Sequence, residues 1–434
     1  MLAATLTWLL APRRARRERL IEAMWEEERA TDLRPTHAAA PLPGSFGDLL
    51  EPHLAGLHES LDAYSHLGAG GRDAVANVLG GGAPVAGLMP EILEDLALHR
   101  RAMQGALRAT WAQSARAPAS LRLFGTLRPT SQVPEAVHAG RLAALDLLIL
   151  LDQGRNDEAA EECADAFALG RDLSYASAVG RNTGVTVTTL VSPACARALS
   201  LASAAALERV RGQLLRIRLA TPRFARILQR ERLFGQLWLV DPDPRMPESA
   251  RIAIADVHGT PTRFDRLRLL AFRETAWAPV EDRMSAMLAV QRLDWPSCLD
   301  RTAEAMRAPT EWPARWNPLL ATANPDSFPW LLRRHRDGFL KVDAMLCLAS
   351  ASLVRARKGV LPRNVAAVCP PPEPEATCGE QSAPLRILSN AQGGRVSVKL
   401  SDGTEYSLPF TKRPPDAVHR ATGSKRGKRA RRSK

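Results

Sequence analysis

AGRLAALDLLILLDQGRNDEAAEECADAFALGRDL, residues 139–173, decides the fold. Ala and Leu, which dominate it, are the strongest helix formers. The break QGRND at 153–157, with Ala159 and Ala166 seven residues apart beyond it, predicts two antiparallel helices joined by a turn at Gly154. Outward from this hairpin the same grammar continues. Helices are expected over 171–200, 203–219, 222–239, 262–274, 277–293 and 297–307. A long one runs from about Pro329 to Lys358, stopped by Gly359 with Pro362 beyond it. On the N-terminal side Pro90, followed by Glu91, Glu94 and Asp95, opens a helix through Trp111, as a proline at the first position and acids near the dipole's positive end favour. Ser45 starts another through residue 67, and Arg13–Arg29 form a charged one. A Pro-rich linker (34–45), Gly-rich breaks (68–71 and 80–82) and a loop (240–261) separate these elements.

The pattern changes after residue 362. LRILSN (385–390), RVSVKL (395–400) and EYSLPF (405–410) are separated by AQGG and SDGT, and the alternation in RVSVKL has period two. Asp402-Gly403 is a strong hairpin signal. A three-stranded antiparallel meander follows, too small to stand alone and so expected to pack on the helices. The chain thus divides into an apolar start, basic helix and linker (1–45), a helical body (46–362), a Pro/Cys linker (363–384), the meander (385–411) and a basic tail (412–434) expected to be disordered. The fold class is mainly α: a multi-helical, irregular, solenoid-like array with a small C-terminal β element.

The net charge of +13 is terminal. Residues 1–19 hold five Arg against Glu18, and residues 412–434 hold ten Lys or Arg against Asp416. That leaves 44 bases and 44 acids in residues 20–411, so the body is neutral and lacks the overall basic excess of a domain that grips nucleic acid through its folded surface. Polyanion binding is confined to the tail, at Lys425, Arg426, Lys428, Arg429, Arg431 and Arg432, with no aromatic there to stack a base. Anionic lipid is the other polyanion such a tail would meet.

Six Cys and nine His form neither C-x2-C nor H-E-x-x-H patterns, so no metal or cofactor is expected. Cys163, Cys195 and Cys347 lie in apolar helical stretches and read as buried thiols, whereas Cys369 and Cys378 bracket CPPPEPEATC, a loop a disulfide could close. SCLDRT (297–302) is similar to the CLDRT string of the Sac-type phosphoinositide phosphatases, yet the position six before Arg301 is Trp295, not a cysteine, so a helix start capped by Ser297 is the better reading. The glycine clusters lack the Lys-Ser/Thr of a P-loop. Asp256, His258, Thr260 and Glu231 form no recognisable acid–base set. The Trp/Pro-rich stretch with Trp295, Trp312, Trp316 and Trp330 is a long irregular connection and the best place to look for a cleft.

The hairpin at 139–173 is similar to half of a tetratricopeptide repeat, but no second copy follows at a period of about 34 residues, which favours a plain helix pair. LKVDAMLCLASASLVRARKGVLP (340–362) and GRDLSYASAVGR (170–181) loosely resemble helical proteins of GC-rich bacteria that carry an N-terminal anchor and a small β element after a late helix. The resemblance implies no activity.

Met1–Pro12 is apolar, shorter than the ~20 residues a bilayer requires, has no basic residue ahead of it and is followed by the Arg run. With that run on the cytoplasmic side the body would be cytoplasmic, which conflicts with a disulfide. The leading expectation is a non-catalytic helical scaffold or protein-interaction protein associated with the cell envelope, its partner a protein. A nucleic-acid-associated protein acting through its tail, and an enzyme with a dispersed site near 295–330, are the alternatives.

Overall fold

The computed structural model describes residues 2–32, 36–116, 133–237, 277–307, 327–360, 377–381, 383–390 and 393–411, with short pieces between them. The helices are α1 (Leu2–Asp32), α2 (Phe46–His66), α3 (Ala69–Leu79), α4 (Pro90–Ala109), α5 (Val133–Asp152), α6 (Asn156–Leu173), α7 (Ala178–Leu201), α8 (Ala204–Ala220) and α9 (Phe224–Leu237). They continue with α10 (residues 277–289), α11 (Trp295–Arg307) and α12 (Ser327–Lys358). Short strands β1 (Leu42–Ser45) and β2 (Ala112–Ser114) pair in parallel, and β3 (Arg386–Asn390), β4 (Gly393–Lys399) and β5 (Glu405–Thr411) form the C-terminal antiparallel sheet in that order.

The expected hairpin is α5–α6, and its turn needs Gly154, whose φ of +74° lies where L-residues are rarely found. α5 is buried along most of its length because it packs against α6 and α7, with α2 and α4 on its other side. α6 and α7 approach until glycine backbones touch. A Cβ at Gly184 would sit 2.0 Å from the carbonyl oxygen of Gly170. α8 and the second half of α12 cover α6 and α7, so Leu340–Leu353 of α12 are buried throughout. Among the described residues α7 is the one helix long and apolar enough to cross a membrane, and most of it is buried in this bundle, as a core helix should be.

The expected starts and stops largely hold. Ser45 caps α2, accepting from Asp48 N while Asp48 returns to Ser45 N, a reciprocal capping box. Pro90 opens α4, and Gly359 (φ +68°) ends α12. The differences have local causes. The charged helix is continuous with the apolar start as α1. Gly68 caps α3, so the GAGG segment starts a helix rather than breaking the chain. The stretch 171–200 is interrupted at 174–177, where Ser177 caps α7 through Gly180 N. α11 begins at Trp295, with the Asp294 carbonyl taking the Cys298 N–H, so Ser297 lies inside the helix rather than capping it. The segments 240–261 and 262–274 lie mostly or wholly outside the described residues.

The meander packs on the helices, as its size requires. Val396, Val398 and Leu408 enter the main core with α7 and α12, while Ile387 pairs with Val396 and Val396 with Leu408 across the strands. The loop Ser401–Gly403 closes between Leu400 and Thr404, with Gly403 at φ +86°. Asp337 of α12 accepts the Ser401 N–H at 2.9 Å, tying the loop to the helix. A second core joins α9, α10, α11 and the start of α12, and a third seats Leu20, Ile21 and Met24 of α1 against Leu237, Val240 and Met246.

Candidate functional site

All six cysteines are paired, and not as expected. Cys163 of α6 joins Cys195 of α7 (Cα–Cα 5.4 Å), Cys347 of α12 joins Cys369 (4.4 Å), and Cys298 of α11 joins Cys378 (6.3 Å). All three separations suit a disulfide. The Cys369–Cys378 bridge is therefore wrong. Cys369 stays against α12, while the linker carries Cys378 across to the second core, where its N–H donates to the Gln291 carbonyl (2.9 Å). The buried thiols expected at Cys163, Cys195 and Cys347 are half-cystines. The even cysteine count was the only signal in the sequence, because each bridge joins elements whose adjacency is a product of the fold.

Beside Cys378 lies a buried charge relay. Arg181 of α7 donates through Nε to His335 Nδ1 (2.9 Å), through Nη2 to the His335 carbonyl (2.9 Å) and through Nη1 to Ser174 Oγ (3.1 Å). His335 Nε2 then donates to Glu380 Oε1 (2.9 Å), which also accepts the Phe224 N–H (2.8 Å). Burial and then Arg181 lower the His335 pKa to about 4, and burial lowers that of Arg181 to about 9. Burial opposes ionisation of Glu380, yet the His335 and Phe224 donors take its pKa below the ordinary value. A neutral imidazole thus spans guanidinium and carboxylate. Phe224 and Phe339 flank it with centroids 5.2 and 4.9 Å away, and Gly338 makes room, since a Cβ there would meet Arg181 Nη2 at 2.6 Å. The relay clamps α7, α12 and the linker. Glu231 of α9, also buried, accepts the Ala178 N–H at the start of α7 (2.8 Å), and burial raises its pKa to about 7.

Ser60 and His138 form a contact that superficially suits a nucleophile and base. Ser60 Oγ lies 2.9 Å from His138 Nε2 and donates to Asp95 Oδ2 at 2.7 Å. Arg141 Nη1 stands 2.8 Å from His138 Nδ1, so that nitrogen accepts and Nε2 carries the proton toward Ser60. Burial and Arg141 together lower the His138 pKa to about 3. An Nε2–H cannot take the serine proton, and Ser60 is fully buried. These are packing contacts.

Among the described residues a cleft of about 690 Å³ opens between α2, α4 and α6, within the range of small-molecule sites. The proximity of α2 and α4 follows from small residues, since a Cβ at Gly105 would fall 2.2 Å from the His53 ring and one at Gly56 would meet Ala102 at 3.0 Å. Behind the cleft Asp146 of α5 is held by Arg100 (Nε–Oδ2 3.1 Å) and acts on Glu162 of α6, whose pKa burial and then Asp146 raise well above the ordinary range. Glu162 Oε1 is buried with no hydrogen-bond partner. The other acids are engaged. Glu158 meets Arg155 (2.5 Å), Glu161 meets Arg209 (2.6 Å), and Asp165 accepts from Trp111 Nε1 (2.8 Å) and from His37 Nε2 (2.7 Å), a histidine that burial keeps neutral. Arg101 and Arg108 line the same cleft exposed, neither in an ion pair or hydrogen bond, and Arg108 lies 5.7 Å from the Trp111 ring centroid. The sequence hid this cleft because its residues come from segments more than a hundred positions apart.

The other expected sites fare differently. Lys425, Arg426, Lys428, Arg429, Arg431 and Arg432 lie outside the described residues, as do Asp256, His258, Thr260, Trp312 and Trp316. Of the region 295–330, Cys298 is in a disulfide and Trp330 stands half exposed beside a shallow pocket with Ala178, Asn182 and Phe328. Among the described residues no group of three or more His, Cys, Asp or Glu is placed to hold a metal ion. The chain matches no known family model, no curated protein and no solved structure.

Proposed function

We propose that this chain is a non-catalytic helical scaffold that works in an oxidising compartment of the cell envelope. The observation that carries the proposal is the engagement of all six cysteines in three bridges, one joining α6 to α7 and two tying the linker to α11 and α12. Such bridges form and persist outside reducing cytosol. The buried polar groups support it too: the Arg181–His335–Glu380 relay and the Ser60–His138 contact hold helices together. In this view the bundle is a rigid body on which a protein partner docks. Acid-trapping of thiols in intact cells tests it. Chain recovered without thiol label before reduction, and fully labelled after it, is expected. Label taken up at all six cysteines before reduction would overturn the proposal.

The +9 of residues 412–434 favours a second activity of the same chain, nonspecific contact with a polyanion through Lys425, Arg426, Lys428, Arg429, Arg431 and Arg432. Deletion of 412–434 should abolish retention on DNA or RNA at low salt. Unchanged retention would dismiss it.

A further inference from the structure

We infer that the cleft between α2, α4 and α6 is a binding site for an acidic saccharide, a short chain of uronic-acid rings. This goes beyond the scaffold proposal and does not depend on it. The inference rests on what the cleft has left unpaired. Three of its four lining carboxylates are engaged, Glu158 by Arg155, Glu161 by Arg209 and Asp165 by Trp111 and His37, so they do not call for a cation. Two of its cations are left over: Arg101 and Arg108 point no hydrogen bond at the protein. They stand seven residues apart on one face of α4, two turns or roughly 10 Å along the axis.

That separation selects among anions. A single inorganic phosphate cannot bridge two guanidinium groups so placed, and a clustered polyphosphate would call for cations closer together. A 1,4-linked uronic-acid chain carries one carboxylate per ring on alternating sides, so carboxylates two rings apart fall on the same side at about this span. The rest of the lining suits sugar. Trp111 offers a half-buried ring held by its bond to Asp165, and aromatic faces stack on the C–H faces of pyranose rings. Gln104 supplies a donor and an acceptor, and His53 lies over Gly105 between the two arginines. On the far wall Glu162 Oε1, buried and without a donor, is placed to accept from a ring hydroxyl. A buried acceptor left unmade costs free energy that a ligand hydroxyl would recover.

Titration calorimetry on the full chain with trigalacturonate, at fixed ionic strength, tests this. One molecule is expected to bind per chain, with neutral galactotriose and inorganic phosphate each binding at least ~10-fold more weakly, as the loss of a charged contact implies. The double variant Arg101→Gln with Arg108→Gln, at two exposed positions, should lower the affinity ~10-fold or more for the same reason. It leaves the basic tail intact, so unchanged binding in the variant would place the sugar on the tail and overturn the inference. Galactotriose binding as tightly would remove the acidic requirement, phosphate binding as tightly would make the site one for any small anion, and an absence of binding would refute it outright. Should the variant misfold by circular dichroism, protection of Arg101 and Arg108 from phenylglyoxal by trigalacturonate in the unmodified chain is the second measurement, and equal modification with and without the sugar would overturn the inference.

Discussion

Replacing Glu231 with Gln should change how stability depends on pH. Burial in the second core pushes the Glu231 pKa from 4.5 to about 7, against the smaller pull of the Ala178 N–H and Arg230. Between those two values the native chain holds a proton that the unfolded chain has released, so stability falls as pH rises through that window. The loss amounts to about 3 kcal/mol once pH exceeds the folded value, an order-of-magnitude figure from 1.36 kcal/mol per pH unit. Glutamine mimics the neutral acid and keeps an oxygen to accept from Ala178. Glu231→Gln should therefore match the wild type near pH 4.5 and exceed it by up to about 3 kcal/mol at about pH 8. Urea unfolding followed by circular dichroism, with disulfides intact, measures the difference between the two proteins at each pH, so that titrations common to both cancel. A difference that does not vary with pH would show that Glu231 does not hold a proton in the folded chain.

Gly184→Ala should destabilise the bundle by about 3 kcal/mol or more, because its Cβ would fall 2.0 Å from the Gly170 oxygen. Gly212→Ala, with nothing within 4 Å of its Cβ in α8, should instead raise the calorimetric melting temperature, by the roughly 0.5–1 kcal/mol that helix propensity provides. His335→Ala leaves Arg181 and Glu380 buried without their bridge and should cost about 3–5 kcal/mol in urea unfolding. Replacing both Cys298 and Cys378 with Ser opens a loop of 80 residues, for which chain entropy alone predicts a loss of about 4.5 kcal/mol, read as a lower urea midpoint.

What the sequence revealed was local. The α5–α6 turn at Gly154, the Ser45 cap, Pro90 at the head of α4, the stop at Gly359 and the Asp402-Gly403 loop are all written within a few residues of where they act. What it concealed depends on contacts between distant segments. Cys369 looked like the partner of Cys378 because nine positions separate them, yet each residue is closer to a helix that the intervening Pro-rich loop says nothing about. The glycines at 170 and 184 gave no hint that they touch, although their contact sets the spacing of α6 and α7. Arg101 and Arg108 belong to no motif in the sequence, and only the pairing of Glu158 and Glu161 with other arginines leaves them without an ion pair. Glu231 was visible as an acid in a helix, but its role at the start of α7 follows from packing across 53 residues.

Non-reducing peptide mapping by mass spectrometry reads the three bridges themselves, which report both which segments are neighbours and the redox state in which the chain matures. Linked peptides containing Cys163 with Cys195, Cys298 with Cys378 and Cys347 with Cys369 are expected. A peptide closed by Cys369 and Cys378, or unlinked cysteines throughout, would contradict this pairing.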